Sequence, residues 1–128
     1  MVFLDSSALV KLVIREAETP ALRRYLASRP QRIACQLVRT EVPRAVRQFG
    51  PRALAKARSV LQRVQIVRLD DELLDAAALI DPAVVRPLDA IHLATAQLLA
   101  REIEAVVTYD SRMRPAAERI GLRGVCPA

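Results

Sequence analysis

Four carboxylates stand where an apolar segment meets a helix, and they carry the strongest chemical signal in this sequence. Asp5 and Asp110 each follow a short apolar run typical of a buried strand, and Glu41 and Asp89 stand early in apolar segments with helical periodicity. In an α/β domain, acids beyond the carboxyl ends of parallel strands converge although they are far apart in sequence. Clustered carboxylates repel one another unless they are protonated or neutralised, and a hard divalent cation neutralises them. The set predicts a Mg²⁺ or Mn²⁺ site used for phosphodiester chemistry.

Each strand-end acid has a plainer alternative role. Asp5 stands directly before a helix and is a good helix cap, although Ser6 or Ser7 can cap that helix instead and leave Asp5 free. A phosphatase of the Asp-x-Asp type needs a second acid where Ser7 stands, so that mechanism is disfavoured.

Hydroxyl groups flank the second strand-end acid. Thr108 and Ser111 lie within two residues of Asp110 and are candidates to hold a metal-bound water.

The two helical acids also have alternatives. Asp89 in the first turn of its helix favours the helix dipole, and His92, three residues later, lies on the same face. An Asp-x-x-His pair can bind metal, but a lone histidine on an apolar helix is more often a hydrogen-bonded core residue. For Glu41, the alternative is an ordinary salt bridge with one of the arginines around it: Arg39, Arg44 and Arg47.

Strand and helix patterns alternate along the whole chain and must position these acids. Strands are predicted at 2–4, 32–35, 65–69, 105–109 and 124–126. Helices are predicted at 7–14, 21–28 after a Thr19 cap, 37–49, 52–63, 71–78 after an Asp70 cap, 88–101, and 115–121. A proline-bounded loop is predicted at 81–87. The alternation predicts one α/β domain over residues 1–128, a three-layer α/β/α sandwich with a mostly parallel sheet of four or five strands.

The charge balance is compatible with a polyanionic substrate. Lys and Arg number 20 against 14 Asp and Glu, giving a net charge of +6, and all but two of the basic residues are arginine. A basic surface around an acidic pocket suits nucleic acid, and arginine binds phosphate in a bidentate manner. The alternative is genomic base composition, which also enriches arginine and alanine. Aromatic residues are too few for a base-stacking platform.

Composition also bounds the setting. No apolar run approaches the ~18 residues that span a bilayer, and no basic leader is apparent, so we expect a cytoplasmic protein that does not contact membranes. Cys35 and Cys126 form no Cys-x-x-Cys pair, which gives no support to a zinc or redox site, and we expect buried free thiols.

The motifs together resemble those of PIN-domain ribonucleases, and specifically VapC toxins of type II toxin–antitoxin pairs. The matching segments occur in family order: Leu-Asp-Ser-Ser-Ala-Leu-Val-Lys-Leu, Arg-Thr-Glu-Val, Leu-Asp-Ala-Ile-His-Leu-Ala-Thr-Ala and Val-Thr-Tyr-Asp-Ser-Arg-Met. The resemblance covers the chain and implies that Asp5, Glu41, Asp89 and Asp110 form the acidic quartet. Pro87 departs from the pattern, since a small hydroxyl residue often stands there, and Pro43 closely follows the glutamate motif.

The resemblance implies a metal-dependent endoribonuclease that cleaves RNA with Mg²⁺, or Mn²⁺ as a substitute. Asp5, Asp89 and Asp110 would bind metal directly or through water, and Glu41 would complete a second metal position or orient the attacking water. It also implies a homodimer and a cognate antitoxin protein. Part of the apolar surface of two helices would line a groove for the antitoxin, the alternative being that all these residues pack in the core: Leu9, Leu12, Val13, Val38, Val42 and Val46.

Two other functions remain open from the sequence. One is a PIN nuclease of RNA processing outside any toxin pair. The other is a catalytically degraded PIN fold acting as a binding or corepressor subunit, although the presence of all four acids argues against decay.

Overall fold

Five short strands form one fully parallel sheet in a computed structural model that describes residues 1–81 and 85–128. The strand order is β3-β2-β1-β4-β5. The strands are β1 (Val2–Leu4), β2 (Arg32–Cys35), β3 (Gln65–Val67), β4 (Ala105–Val107) and β5 (Gly124–Val125). Every pairing is parallel, and β1 lies at the centre of the sheet, with Val2 opposite both Arg32 and Ala105. The predicted mostly parallel sheet of four or five strands is confirmed, and it has five strands.

Helices follow the strands in the predicted alternation. They are α1 (Ser6–Val13), α2 (Thr19–Ala27), α3 (Val38–Val46), α4 (Pro51–Leu61), α5 (Asp71–Ala78), α6 (Pro87–Leu98) and α7 (Met113–Arg119), with a 3₁₀ turn at Arg47–Phe49. The loop predicted at 81–87 includes residues 82–84, which lie outside the described residues. Among the described helices, none has both the length and the apolarity to cross a membrane.

Side chains alternate between the two faces of the sheet along each strand, so the core has two layers. Val2 and Leu4 of β1 pack with α1 to α4 on one face, whereas Phe3 packs with α6 and α7 on the other. Successive strand residues point to opposite faces, so a three-residue strand supplies both layers. Helix α5 packs on α6 through Leu73 and Ala77. The three-layer α/β/α arrangement is confirmed.

The six apolar residues that we assigned in part to an antitoxin groove lie in this core instead. Leu9, Leu12, Val13, Val38, Val42 and Val46 are all buried and belong to the cluster on the α1-to-α4 face. The groove prediction for these residues is wrong, because α1 and α3 turn their apolar stripes toward the sheet and toward each other. Both cysteines are free thiols; Cys35 is buried, as expected, but Cys126 is only partly so.

Several predicted boundaries differ from the structure, and at β3, β4 and α7 a backbone amide donates a hydrogen bond to a side chain instead. Strand β4 stops before Tyr109 because the Tyr109 amide donates to Ser7 Oγ, and β3 stops before Leu69 because that amide donates to Gln36 Oε1. Helix α7 starts at Met113 rather than at Pro115. At α2, Thr19 is the first helical residue rather than the cap.

The order of the strands fixes where a site can form. The chain builds β1, β2 and β3 outward in one direction, then returns to place β4 on the other side of β1. Ligand sites of parallel α/β sheets lie at such a reversal, beyond the carboxyl ends of the two strands that flank it. Here those strands are β1 and β4, which end just before Asp5 and Asp110.

Candidate metal and catalytic site

Asp5 is both the N-cap of α1 and the most buried of the four acids. Its backbone is extended, and its Oδ1 accepts hydrogen bonds from the Ala8 amide at 3.0 Å and from Ser7 Oγ at 2.6 Å. Its Oδ2 accepts a hydrogen bond from Thr108 Oγ1. Of the alternatives that the sequence leaves open, Asp5 is the cap rather than Ser6 or Ser7, and the Ser7 hydroxyl donates to Asp5.

Hydroxyl groups join the ends of β1 and β4. Thr108 Oγ1 donates to Asp5 and accepts from the Asp110 amide at 3.1 Å, while Ser7 Oγ accepts from the Tyr109 amide at 2.8 Å. Thr108 is buried and its hydroxyl contacts Asp5 and the Asp110 amide, whereas Ser111 is exposed at the surface. Thr108 therefore orients Asp5 and the turn that carries Asp110.

Asp110 begins helix α7 in the way that Asp5 begins α1. Its Oδ1 accepts from the amides of Arg112, at 2.7 Å, and Met113, at 3.1 Å. These bonds explain the early start of α7, and among the described residues they leave Oδ2 without a hydrogen-bond donor.

Glu41 is held by two partners from other helices. Its Oε1 accepts from Ser6 Oγ at 2.7 Å and lies 2.6 Å from His92 Nε2. Within the described ranges, no arginine forms a salt bridge with Glu41, so the predicted alternative pairing with Arg39, Arg44 or Arg47 is not seen. His92 is only 2 % exposed and, as predicted for a core histidine, its Nε2 is hydrogen-bonded.

The electrostatics show that the four acids share one region. Burial raises the pKa of Asp89, and the negative charges of Asp110, Asp5 and Glu41 raise it further. Burial also raises the pKa of Asp5, against the lowering effect of its hydrogen bonds from Ser7, Thr108 and Ala8. Burial opposes ionisation of Glu41 as well, but the hydrogen bonds from His92 and Ser6 bring its pKa below the usual value.

The donor set suits a hard divalent cation, although the cage is not closed. Asp89 accepts no hydrogen bond from the described residues, and the nearby carboxylates repel its negative charge. A bound cation would relieve this repulsion. Oxygen donors select Mg²⁺ or Mn²⁺ over zinc. In residues 1–81 and 85–128, however, no three Asp, Glu, His or Cys side chains are close enough to bind one ion together as they stand. Binding therefore requires side chains to move: Asp89 accepts no hydrogen bond from the described residues that would hold it, whereas Asp110 keeps Oδ1 on two amides and offers Oδ2.

Two arginines to which the sequence motifs assign no role line a cleft with two of the acids. A cleft with a volume of about 340 Å³ is lined by Arg86, Asp89, Tyr109, Asp110, Ser111 and Arg112. Arg86 precedes Asp89 by three residues and Arg112 follows Asp110 by two, and that proximity in sequence is the signal that identifies them. Both arginines are exposed and line the same cleft as Asp89 and Asp110.

Comparisons with known proteins place the whole chain in one group. A model of the PIN domain family matches residues 2–119. The chain is similar to Ribonuclease VapC46 of Mycobacterium tuberculosis, with 45% identity over 127 residues that cover 99% of this chain and 98% of that relative. It is also 40% identical over 131 residues to Ribonuclease VapC35 of the same species, covering 99% and 97% of the two chains.

Solved structures share the fold at lower identity. A crystal structure of M. tuberculosis VapC20, described as a toxin that cleaves the Sarcin-Ricin loop, superposes with a TM-score of 0.78 at 20% identity, covering 99% of this chain and all of that one. A toxin–antitoxin complex from Klebsiella pneumoniae gives a TM-score of 0.74, also at 20% identity, with 100% and 98% of the chains covered.

Proposed function

Because this chain belongs to the PIN-domain family, we propose that it is a metal-dependent endoribonuclease that acts as the toxin of a toxin–antitoxin pair. The observation that carries the proposal is the convergence of Asp5, Glu41, Asp89 and Asp110 at the reversal of the sheet, where their charges act on one another. The similarity to ribonucleases VapC46 and VapC35 over nearly the full chain supports the toxin class. Residues 1–128 act as one PIN domain, on cytoplasmic RNA.

The acids are the groups that would hold Mg²⁺ or Mn²⁺. Asp89 and Asp110 have carboxylate oxygens that no described residue engages. Asp5 is fixed by hydrogen bonds from Ser7, Ala8 and Thr108. When bound, the ion lowers the pKa of water and neutralises charge on the phosphate.

The chain's own residues orient the other reactants. Glu41 uses Oε1 for Ser6 and His92, which leaves Oε2 to accept a hydrogen bond from the attacking water and so to orient it toward phosphorus. A low pKa keeps this carboxylate ionised at neutral pH and therefore able to accept a hydrogen bond. Arg86 and Arg112, beside Asp89 and Asp110, bind the flanking phosphate oxygens. Water as the nucleophile gives 5′-phosphate and 3′-hydroxyl ends and needs no 2′-hydroxyl.

The alternative functions make different use of the same fold. A binding or corepressor subunit has no need of four acids whose mutual repulsion destabilises the free protein, so their retention favours an enzyme. A nuclease of RNA processing is distinguished from a toxin by whether its expression stops growth.

RNA sequencing after induced expression tests the proposal. Wild-type protein should arrest growth and generate new RNA ends that carry a 5′-phosphate, and Asp89→Asn should do neither. Growth arrest without new RNA ends would contradict the nuclease function. New ends without growth arrest would favour RNA processing.

We further propose that the protein is a homodimer and that a cognate small protein inhibits it. The solved relatives include a toxin–antitoxin complex, and a nuclease of this kind would damage its own cell if it were free. An arginine of the inhibitor, placed among the carboxylates, would supply the charge of the missing metal. Light scattering during size-exclusion chromatography measures the mass, and co-purification from the native operon identifies the inhibitor. A monomer without a small partner would contradict the toxin assignment and leave the nuclease proposal intact.

A further inference from the structure

A second charged cleft, of the opposite sign, lies on the far side of the molecule from the acids. Its volume is about 260 Å³, and the charged residues that line it are all basic. They are Arg23, Arg32, Lys56 and Arg63. We call it the basic cleft.

The elements that form the basic cleft place it at the amino-terminal edge of the sheet. Arg32 is the first residue of β2, and Val64 directly precedes β3, while Lys56 and Arg63 lie in the second half of α4 and in the turn after it. The acids lie beyond the carboxyl ends of β1 and β4. The strands between the two edges rise about 3.3 Å per residue, so the clefts are at least about 10 Å apart.

The positive charges of the basic cleft are not neutralised within the described protein. None of its four cations takes part in a salt bridge in the described ranges, whereas Lys11 and Arg29 elsewhere each pair with glutamate. Burial lowers the pKa of Arg32, and the like charge of Arg63 lowers it further, which shows that these two guanidinium groups repel each other.

Two of the cations are held in place by backbone carbonyls. Arg32 donates through Nε to the Arg29 carbonyl and through Nη2 to the Leu26 carbonyl, both at 3.1 Å, and Arg23 Nη2 donates to the Leu12 carbonyl at 3.4 Å. Arginines fixed in this way lose little conformational entropy when they bind an anion. Lys56 and Arg63 are exposed and can close over a bound group.

We propose that the basic cleft binds a phosphate of the RNA backbone several nucleotides away from the bond that is cleaved. This inference rests on the proposed ribonuclease function and adds a second contact with the same substrate. A charged face that is merely solvated would spread its cations, whereas these four border one cleft without a carboxylate. Phosphate is the anion that arginine forks and lysine both bind well, and backbone contact requires no base recognition.

Binding in EDTA tests the basic cleft independently of catalysis. The probe is a fluorescent single-stranded RNA of mixed sequence and about 30 nucleotides, long enough to reach both edges of the sheet. Lys56→Glu/Arg63→Glu should weaken binding about tenfold near 0.1 M salt and reduce the salt dependence of log K by about one or two units. The matched control is Arg101→Glu/Arg119→Glu, which changes the net charge equally at exposed positions outside the cleft; its affinity should stay within about twofold of wild type.

Nuclear magnetic resonance locates the contact. The RNA should shift the amide resonances of Ser59, Val60 and Val64, which line the basic cleft, and should not shift them in the double variant. The milder Lys56→Gln/Arg63→Gln variant, confirmed as folded by circular dichroism, should show the same direction of effect. In Mg²⁺, the glutamate variant should raise KM for cleavage of long RNA and leave kcat unchanged.

Each other outcome overturns the inference. Equal weakening by both double variants would indicate a diffuse charge effect. Unchanged RNA affinity with weaker binding of an acidic inhibitor protein would assign the cleft to that protein. If the wild-type protein cleaves RNA and the cleft variants match its affinity and KM, the basic cleft does not bind RNA, and the nuclease proposal stands. If wild-type protein neither binds nor cleaves RNA, both fail.

Discussion

His92 Nε2 lies 2.6 Å from Glu41 Oε1, and this contact joins two helices whose residues are 51 positions apart in sequence. The other ring nitrogen, Nδ1, is buried without a hydrogen-bond partner among the described residues. With its proton on Nε2, the imidazole ring donates a hydrogen bond to Glu41. The ring atom left without a partner is then Nδ1, which is an acceptor. His92 is therefore a positioning residue that fixes one carboxylate oxygen of the site.

Replacing His92 tests that role. His92→Leu should lower kcat for RNA about 10- to 100-fold with little change in KM, the usual cost of losing a group that orients a ligand. His92→Gln, which can offer an N–H to Glu41, should recover most of the rate. Steady-state kinetics and thermal melts of both variants separate the two effects. Equal loss of activity in both variants, in proportion to lost stability, would indicate a purely structural histidine.

Thr108 should matter for both stability and activity. Thr108→Val keeps the shape but removes the donor to Asp5 and the acceptor for the Asp110 amide. Unsatisfied buried polar groups cost about 1–3 kcal/mol each, so we expect a clear drop in the free energy of unfolding. Thr108→Ser retains the hydroxyl and should lie close to wild type. Chemical denaturation measures both, and a Thr108→Val protein as stable as wild type would contradict the hydrogen-bonding role.

Asp89→Asn should abolish cleavage while preserving the fold. The loss of kcat should exceed about 100-fold, since even groups that only orient ligands cost 10- to 100-fold. Without metal, the melting temperature should be equal or higher, because one of several repelling charges is gone. Asp75→Asn, an exposed acid on α5, is the matched control and should leave both quantities unchanged. Cleavage by Asp89→Asn at the wild-type rate would remove this residue from the mechanism.

The stability advantage of Asp89→Asn should depend on pH. Because the pKa of Asp89 is raised in the folded state, folding takes up a proton between that pKa and the unfolded value near 3.9. The free energy of unfolding of the wild-type protein is therefore higher below the folded-state pKa of Asp89, and this contribution is lost as pH rises through that pKa. The difference between variant and wild type should shrink from pH 7 toward pH 4. Guanidinium titrations in EDTA measure it, and a difference that does not change with pH would argue against a raised pKa.

Metal removal should reveal the chemistry. EDTA should stop RNA cleavage, Mg²⁺ or Mn²⁺ should restore it, and Zn²⁺ should not, because the available donors are carboxylate oxygens. The measurement is the cleavage rate of one RNA with each ion added to the stripped protein. Full activity in EDTA would instead require metal-free acid–base chemistry.

The sequence predicts strands better than it predicts their ends. Strand β1 agrees with its prediction at both ends because it is buried on both faces and uniformly apolar. Strand β2 also agrees, although it begins at the half-buried Arg32. The ends of β3 and β4 differ from prediction because Gln36 and Ser7 take amides that would otherwise extend the strands. Such hydrogen bonds link residues more than thirty positions apart, so the local sequence pattern does not predict them.

At the site, the sequence predicts where the four acids lie but does not predict which side chains hydrogen-bond to them. Asp5 and Asp110 follow apolar runs, which the sequence displays directly. The Glu41–His92 pair depends on how α3 packs against α6, and Glu41 alone resembles a surface acid among arginines. The basic cleft is invisible for the same reason, since Arg23, Arg32 and Arg63 come from separate elements that only the fold unites.

The adjacency of β1 and β4 has a consequence for biosynthesis. Val2 pairs with Ala105, so β1 has both of its neighbouring strands only after residues 105–107 have been synthesised. Until Thr108 and Asp110 have left the ribosome, Asp5 lacks one of its two hydroxyl donors and one of its three acidic neighbours. Translation proceeds at about 5–20 residues per second, so several seconds pass before the site is complete. The proposed site is therefore incomplete until residues 105–110 have been synthesised and have folded against β1, and RNA cleavage that depends on all four acids begins only after that point.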